Sequence, residues 1–437
     1  MKITLTGDSL FSSTNLNQRL DPAIITILDA AQINFTNAEF TTPRSTTAPA
    51  AGRGYTTAVA PNRIAELTNL GFNLINFANN HSGDFGIQGI LDTYRAATNA
   101  GIEPLGIGRS YDEAIKPRFI DLPNLRVAIV SATTTRSEVF LASNAGNGVA
   151  ARPGVNPLRW QRTYVVDPEK FTQLQRINQE LGTARSQSIG TAIERWDKLP
   201  NNQLYLGSMY QEKLLIEKGN QNYVKTTVNQ HDLTVIKKQL ADARRRADYV
   251  IFDLHTHEGV AENWYADEPA QFVKTAAHEI IDAGADVFVG HGAHFLRGIE
   301  HYHGKPIFYN LGSFLMEFEA GESLIPPEMY AEYHLPTNSV PSALHGSRAQ
   351  DQAGHFVGFN GDPVFSQGAL VQIELKTDGP HYYLYPTDLR MQDQRNLNRG
   401  IPVLADEQQA QLVIERLQKL SSQFTYDGTT HELKFKN

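Results

Sequence analysis

Short apolar runs alternate with amphipathic stretches along most of the chain, and the alternation predicts strands followed by helices. Residues 2–6 alternate toward a strand ending at Gly7-Asp8, and residues 33–38 toward a second ending at Glu39. A third apolar run, 72–78, ends at Asn79-Asn80-His81. Between them, 22–31 and 62–70 have helical spacing, and Gly71 offers a natural C-cap. Ile87, Ile90, Leu91 and Tyr94 recur on one face of a further helix. Residues 125–130 read as a strand. The rhythm resumes with a helix at 233–246, a strand at 249–254, a helix at 269–283 and strands at 287–289 and 306–309. Residues 369–375 and 382–385 predict a late hairpin, and 406–421 a closing amphipathic helix.

Two stretches break the pattern. Residues 136–230 are polar, carry Trp160 and Trp196, and show helical spacing around 169–181. They read as an insertion on the scaffold. Residues 317–367 are long, Pro-rich and irregular, a length of loop that usually serves function or moves. The expected organisation is one α/β domain over 1–437, with the insertion at 136–230 and the irregular loop at 317–367. A hairpin and helix within 368–437 complete it.

Composition narrows the function. The chain has 437 residues, 41% of them hydrophobic, so it can bury a sizeable core. A formal net charge of −8 argues against nucleic acid as a partner, since a binder shows a basic stripe. No apolar window is long enough to span a membrane. The N-terminal MKITLTGDSLF lacks a signal-peptide pattern, so the expected location is the cytoplasm, or outside it if an export segment has been removed. Oligomeric state is not legible. There is no cysteine, so a metal here would rest on His, Asp, Glu or Asn, a donor set that suits zinc, manganese or iron.

Ligands of open α/β folds bind at the carboxyl ends of strands. Asp8, Glu39, Asn80, His81, His255, His291 and His294 all follow apolar runs and so converge on that edge. Singly, an Asp after a strand caps a turn and an Asn-Asn pair makes one. Together they form a metal-competent set. A rigid strand end followed by a glycine-containing turn, Gly290-His291-Gly292-Ala293-His294, lets two imidazoles face one centre. His278, within a helix, reads as structural, and His301 and His303 as exposed in a polar turn.

The stretches TGDSLF, INFTNAEFTTP, FNLINFANNHSGDFGIQGILDT, ARPGVNPLR, ADYVIFDLHTH, GADVFVGHGAHFLRGIE and GKPIFYNLGSF resemble the bacterial capsule-synthesis CapA/PgsA family, linked with poly-γ-glutamate. That family resembles a branch of the calcineurin-like metallophosphoesterase fold. The resemblance implies a layered β-sandwich flanked by helices and one or two divalent metal ions. It implies Asp8, Glu39, Asn80, His255, His291 and His294 as ligands, with Glu39 bridging and His81 facing substrate. The chain departs from the pattern at Asp8-Ser9-Leu10, which lacks the usual Asp-x-His, and at Glu39, where an Asp is usual. It reads His255-Thr256-His257 where the family tends to His-Trp-Gly, so either His257 is an extra ligand or base or the register slips by two; counting forward from Asp248 favours His255 as the ligand. Arg44, Arg53, Arg152 and Arg159 lie in or near the matching stretches and, with Asn79, are candidates to hold an anionic substrate.

Three activities fit. The first is a metal-dependent hydrolase of a phosphoester or a γ-glutamyl polymer, with His81 as acid. The second is a metal-dependent peptide epimerase using His81 and His257 as bases. The third is a non-catalytic binder of capsule polymer.

Overall fold

A computed structural model describes residues 1–207, 213–421 and 424–436. The chain divides into two compact units. The first comprises 1–159, 231–257 and 277–437; the second comprises 160–230 and 258–276.

The first unit is built on two mixed sheets. The larger holds β1 (Lys2–Phe11), β2 (Ile33–Ala38) and β3 (Leu74–Asn76) side by side and parallel. Ser313–Glu317 also pairs parallel with β1, and the hairpin of Gln367–Lys376 and Gly379–Asp388 extends the sheet antiparallel. The smaller sheet holds β4 (Leu125–Thr133), β5 (Tyr249–Thr256) and β6 (Val287–Gly292), all parallel, with Lys305–Phe308 beyond β6. Ile3, Leu5, Ile33, Phe35 and Leu74 of one sheet share a buried cluster with Ile129, Ile251, Val287 and Val289 of the other. The sheets therefore pack face to face. On the far face of the larger sheet, Ile24, Leu28, Ile64, Leu67 and Ile90 from three helices form a second core with Phe40 and Ile75. This is the α/β fold that the alternation predicts, arranged as the layered sandwich that the resemblance implies.

Local chemistry sets the helix ends. Asp21 Oδ1 accepts from Ala23 N ahead of Pro22–Asp29, with Pro22 at the first turn, where a missing N–H costs nothing. Asp406 caps Glu407–Leu420 in the same way. The region 317–367 is less irregular than its composition predicts: short helices form at Pro327–Glu332, Pro341–Ala349 and Gly358–Gly361, each behind a proline or a glycine.

The second unit begins at Trp160 rather than 136 and takes in 258–276, which the sequence pattern assigns to the scaffold. Its helices, Pro168–Glu180 and Thr183–Glu194, lie beside a four-stranded sheet of Trp160–Val166, Gln203–Gly207, Lys213–Lys218 and Tyr223–Val228. The sheet is hidden in the sequence because only a few apolar side chains, Phe171, Leu204 and Ile216 among them, make its core. Trp160 stacks on Phe272 at 4.9 Å.

Candidate metal centre

Side chains on a strand alternate between faces, so residues two apart share one. On β2, Ile33 and Phe35 fill the inter-sheet core, and Asn37 and then Glu39 continue that face. On β5, Ile251 is followed by Asp253, His255 and, just beyond, His257. On β6, Val287 and Val289 are followed by His291. The core thus changes from apolar to polar along the same faces at the carboxyl ends. On β1 the register with β2 shifts between Leu5 and Asp8, an irregularity of the kind that re-aims a side chain. Asp8 thereby joins the same layer.

Glu39 is the hub. Its Oε1 lies 3.5 Å from His257 Nε2, 3.7 Å from His294 Nε2 and 3.8 Å from His255 Nε2. Asp8 lies 3.9 Å from His255 Nδ1 and 3.6 Å from His294 Nδ1. Two sets of donor atoms, Glu39–His257–His294 and Asp8–Glu39–His255, each fall within 4.8 Å of one another. Asn80 Oδ1 lies 3.0 Å from His255 Nε2. All are buried. Gly292 makes room: its φ is +107°, and a Cβ there would sit 3.1 Å from His255 Cε1. His294 itself adopts the left-handed region, with φ +64°.

These separations are in ion-pair range, yet electrostatics argues against ion pairs. Burial pushes His294 down to about 3, assisted by the charges of His81 and Arg348. Burial and neighbouring imidazoles also hold His255 and His257 well below the ordinary range. Burial raises Glu39 well above the usual carboxylate range, with Asp8 and Asp84 adding to the effect. Asp8 rises to about 6 through burial, offset in part by His291, the Asn37 amide and Gly292 N–H. Neutral imidazoles grouped around acidic side chains are a donor set compatible with a divalent cation. The fit to a cation rests on one further observation: both Glu39 oxygens are buried with no hydrogen-bond partner. A carboxylate left so is costly unless an ion compensates it.

Other predicted residues go elsewhere. His291 does not join the donor set, because both its ring nitrogens are engaged. Nδ1 lies 2.6 Å from Asp253 Oδ1 and Nε2 lies 2.8 Å from Thr6 O. Burial alone would lower it, but the Asp253 carboxylate, the bond to it and Asp8 outweigh burial and raise it to about 9. Asn79 gives its amide to Asn37 Oδ1 and Ala38 O and accepts from His81 N, so it holds the loop rather than substrate. Arg44 bonds Asp92 at 2.8 Å, Arg159 forks onto Asp232 at 2.7 and 2.8 Å, and Arg152 donates to Leu141 O. None of these three is directed to the centre by its contacts. Arg53 is buried and donates to Asp84 and to Asn80 O, so it braces the His81 loop.

The His81 ring is oriented by two partners. Its Nδ1 lies 2.7 Å from Asp84 Oδ2 and its Nε2 lies 3.3 Å from Thr57 Oγ1; Asp84 Oδ2 also accepts from Thr57 N. Asp84, Asn37, Asp253 and Arg348 are absent from the predicted set. Asn37 donates to Asp8 at 2.7 Å and lies 3.2 Å from His255 Nδ1. Parity exposes Asn37 and Asp253: each sits two residues before a predicted ligand, on the same face. Arg348 lies 4.1 Å over the Tyr55 ring, which in turn packs 6.0 Å from His81. Nothing in its local sequence marks it.

A relative in Sinorhizobium fredii, the uncharacterized protein y4sH, is 31% identical over 436 residues, covering 96% of this chain and 88% of that protein. The PGA biosynthesis protein CapA of Bacillus subtilis is 25% identical over 280 residues, 63% of this chain and 50% of that one, so the chain spans about half its length. A solved structure described as a novel phosphatase from Mycoplasma pneumoniae aligns over 91% of this chain and 98% of its own. At 11% identity and a TM-score of 0.37, that likeness is too slight to argue from. No helix among the described residues is long and apolar enough to cross a membrane. The profile of the family described as bacterial capsule synthesis protein PGA_cap matches residues 2–317, and the chain belongs to that family.

Proposed function

We propose that the chain is a metal-dependent hydrolase acting on an anionic substrate, a phosphoester or a γ-glutamyl chain. The observation that supports it most is Glu39, a buried carboxylate without hydrogen bonds, ringed by His255, His257 and His294 with Asp8 alongside. Those five residues would hold one or two divalent cations, with Asn80 completing the set. A cation held there supplies a Lewis acid that polarises a substrate oxygen and eases ionisation of water.

The protein's own part follows from His81. Asp84 at its Nδ1 fixes the ring orientation and leaves Nε2, beside the Thr57 hydroxyl, as the position that exchanges a proton with a leaving group. Arg53 holds Asp84 and the Asn80 carbonyl together, so ligand and acid share one brace. A positioned acid of this kind contributes roughly 10²–10⁴-fold. Arg348, half-buried against Tyr55 and Tyr333 on the helix Pro341–Ala349, supplies the positive charge that favours an anionic substrate over a neutral one. The capsule-synthesis names of its relatives direct attention to a polymer carrying carboxylates.

The test is elemental analysis of the purified chain, followed by assay of a generic phosphodiester and of γ-glutamyl oligomers with Mn²⁺ or Zn²⁺ in D₂O. Cleavage of either supports the reading. Deuterium incorporation into a peptide without cleavage replaces it with epimerisation, and a metal-free, inert protein replaces it with polymer binding.

A further inference from the structure

Just past β1 the chain leaves the metal layer and runs through Ser12 and Ser13 into an open pocket of about 440 Å³. Ser12 is four residues beyond Asp8, roughly 13 Å along an extended strand. Arg19, Arg63, Gly321 and Glu322 also line it, and none of these residues belongs to the metal centre.

Two features of its wall are unusual together. The Ser12 and Ser13 side chains are 0% and 5% exposed, and neither hydroxyl has a hydrogen-bond partner. Buried hydroxyls seldom stay unsatisfied without a ligand or water in reach. Beside them stand two guanidinium groups whose hydrogen bonds go to backbone and amide oxygens. Arg63 Nε donates to Ser12 O at 2.8 Å and Arg19 Nη2 to Leu397 O at 2.6 Å. Among the described residues no carboxylate pairs with either. The nearby buried carboxylate, Glu317, is taken up by Ser13 N and Ala320 N. Glu322 is exposed, where water and salt screen it. Gly321 lies so close over the serines that a Cβ there would fall 2.2 Å from Ser12 Oγ, so the wall is closely fitted.

We propose that this pocket is a second ligand site, which binds an oxyanion, phosphate or carboxylate, carried on a molecule larger than the anion itself. The two guanidinium groups supply charge, and the two serines of the wall hold hydroxyl donors not spent within the protein. The volume exceeds what a bare anion fills.

Isothermal titration of the full chain with inorganic phosphate and, separately, with glutarate at low ionic strength tests it. The site is expected to saturate with at least one of them, and to do so equally in Glu39→Gln, which removes the metal-centre hub and leaves this pocket intact. Phosphate alone identifies a phosphoryl group as the ligand, and glutarate alone a carboxylate. Arg63→Gln and, separately, Arg19→Gln are each expected to weaken binding roughly ten- to hundredfold. Ser12→Ala is expected to weaken it severalfold, with circular dichroism confirming the fold. No saturable binding, or binding abolished by Glu39→Gln yet indifferent to both arginine variants, overturns the proposal and leaves the metal-centre reading untouched.

Discussion

Two buried acid–imidazole groupings sit in the same polar layer, and they are opposites. Around Asp253 and His291 the pairing is closed. The ring is held at both nitrogens, at 2.6 and 2.8 Å, and charged His291 faces a carboxylate. Around Glu39 the pairing is open: three neutral imidazoles stand 3.5–3.8 Å from one oxygen, and neither oxygen is hydrogen-bonded. The residue types are the same and so is the burial. What differs is satisfaction: Asp253 spends one oxygen on the ring and leaves only Oδ2 without a partner, whereas neither Glu39 oxygen has one. An acid that holds its imidazole directly supports the fold, whereas an acid ringed by imidazoles it does not bond is suited to something else.

Breaking the open group has the largest effect, and it falls on metal rather than fold. Glu39→Gln keeps size but removes the charge shared by both donor sets. Metal affinity is expected to fall by more than about a hundredfold, since even partners behind a ligand cost ten- to hundredfold; elemental analysis after dialysis reads it. The metal-free variant is expected to be about as stable as the metal-free parent, because burial already disfavours the charged form of Glu39 and its oxygens make no hydrogen bond to lose. A metal-free variant clearly less stable than its parent would place Glu39 among the structural groups instead.

Breaking the closed group does the reverse. Asp253→Ala leaves the buried His291 ring without its counter-charge, a loss that costs about 3–5 kcal/mol in comparable pairs. Denaturant titration of the metal-free protein checks it. Equal loss of stability from Asp253→Ala and Glu39→Gln would erase the distinction.

The same contrast has a pH signature. His291 is raised to about 9 in the folded chain against about 6.5 unfolded. The folded state therefore holds a proton that the unfolded state has released, and stability falls as pH rises between these values. The contribution is fully present below about pH 6.5 and is gone above about pH 9. It amounts to roughly 3 kcal/mol at most. His291→Gln is expected to flatten that slope in metal-free protein, as seen in urea midpoints from pH 6 to 10. The imidazoles of the open group are depressed instead, so they act on the acid side, and stability falls as pH drops below about 6.5.

Much of this was legible in the sequence, and the reason is geometric. Strands announce themselves by apolar runs, and the polar residues that follow a run mark where the core face turns polar, which is how Asp8, Glu39, His255 and His294 are found, although β1 continues past Asp8 to Phe11. Asn37 and Asp253 escaped because they lie within the strands, where a polar residue reads as an exposed position. Parity with Phe35 and Ile251 places them on the core face instead. His291 was found for its position, but the engagement of both its ring nitrogens was not legible, since its partner Asp253 lies 38 residues away on the neighbouring strand. Arg348 and the paired strands of the second unit lay in segments whose polar composition carries no period.

The mildest test concerns the arginines that composition alone recommends. Arg44 sits between Glu39 and the His81 loop in sequence, yet its guanidinium bonds Asp92, which also accepts from Thr47 and Gln88. The Arg44 backbone N–H bonds Asp92 as well, at 3.1 Å, and no substitution of the side chain removes it. The Arg44 side chain is half-exposed, and a pair so placed is worth about 0–1 kcal/mol. Arg44→Ala is therefore expected to shift stability by no more than that and to leave metal content and the affinity for an anionic substrate unchanged. A tenfold loss of affinity in Arg44→Ala would mean that the ion pair with Asp92 opens when substrate arrives, and that the arginine belongs with the open group rather than the closed one.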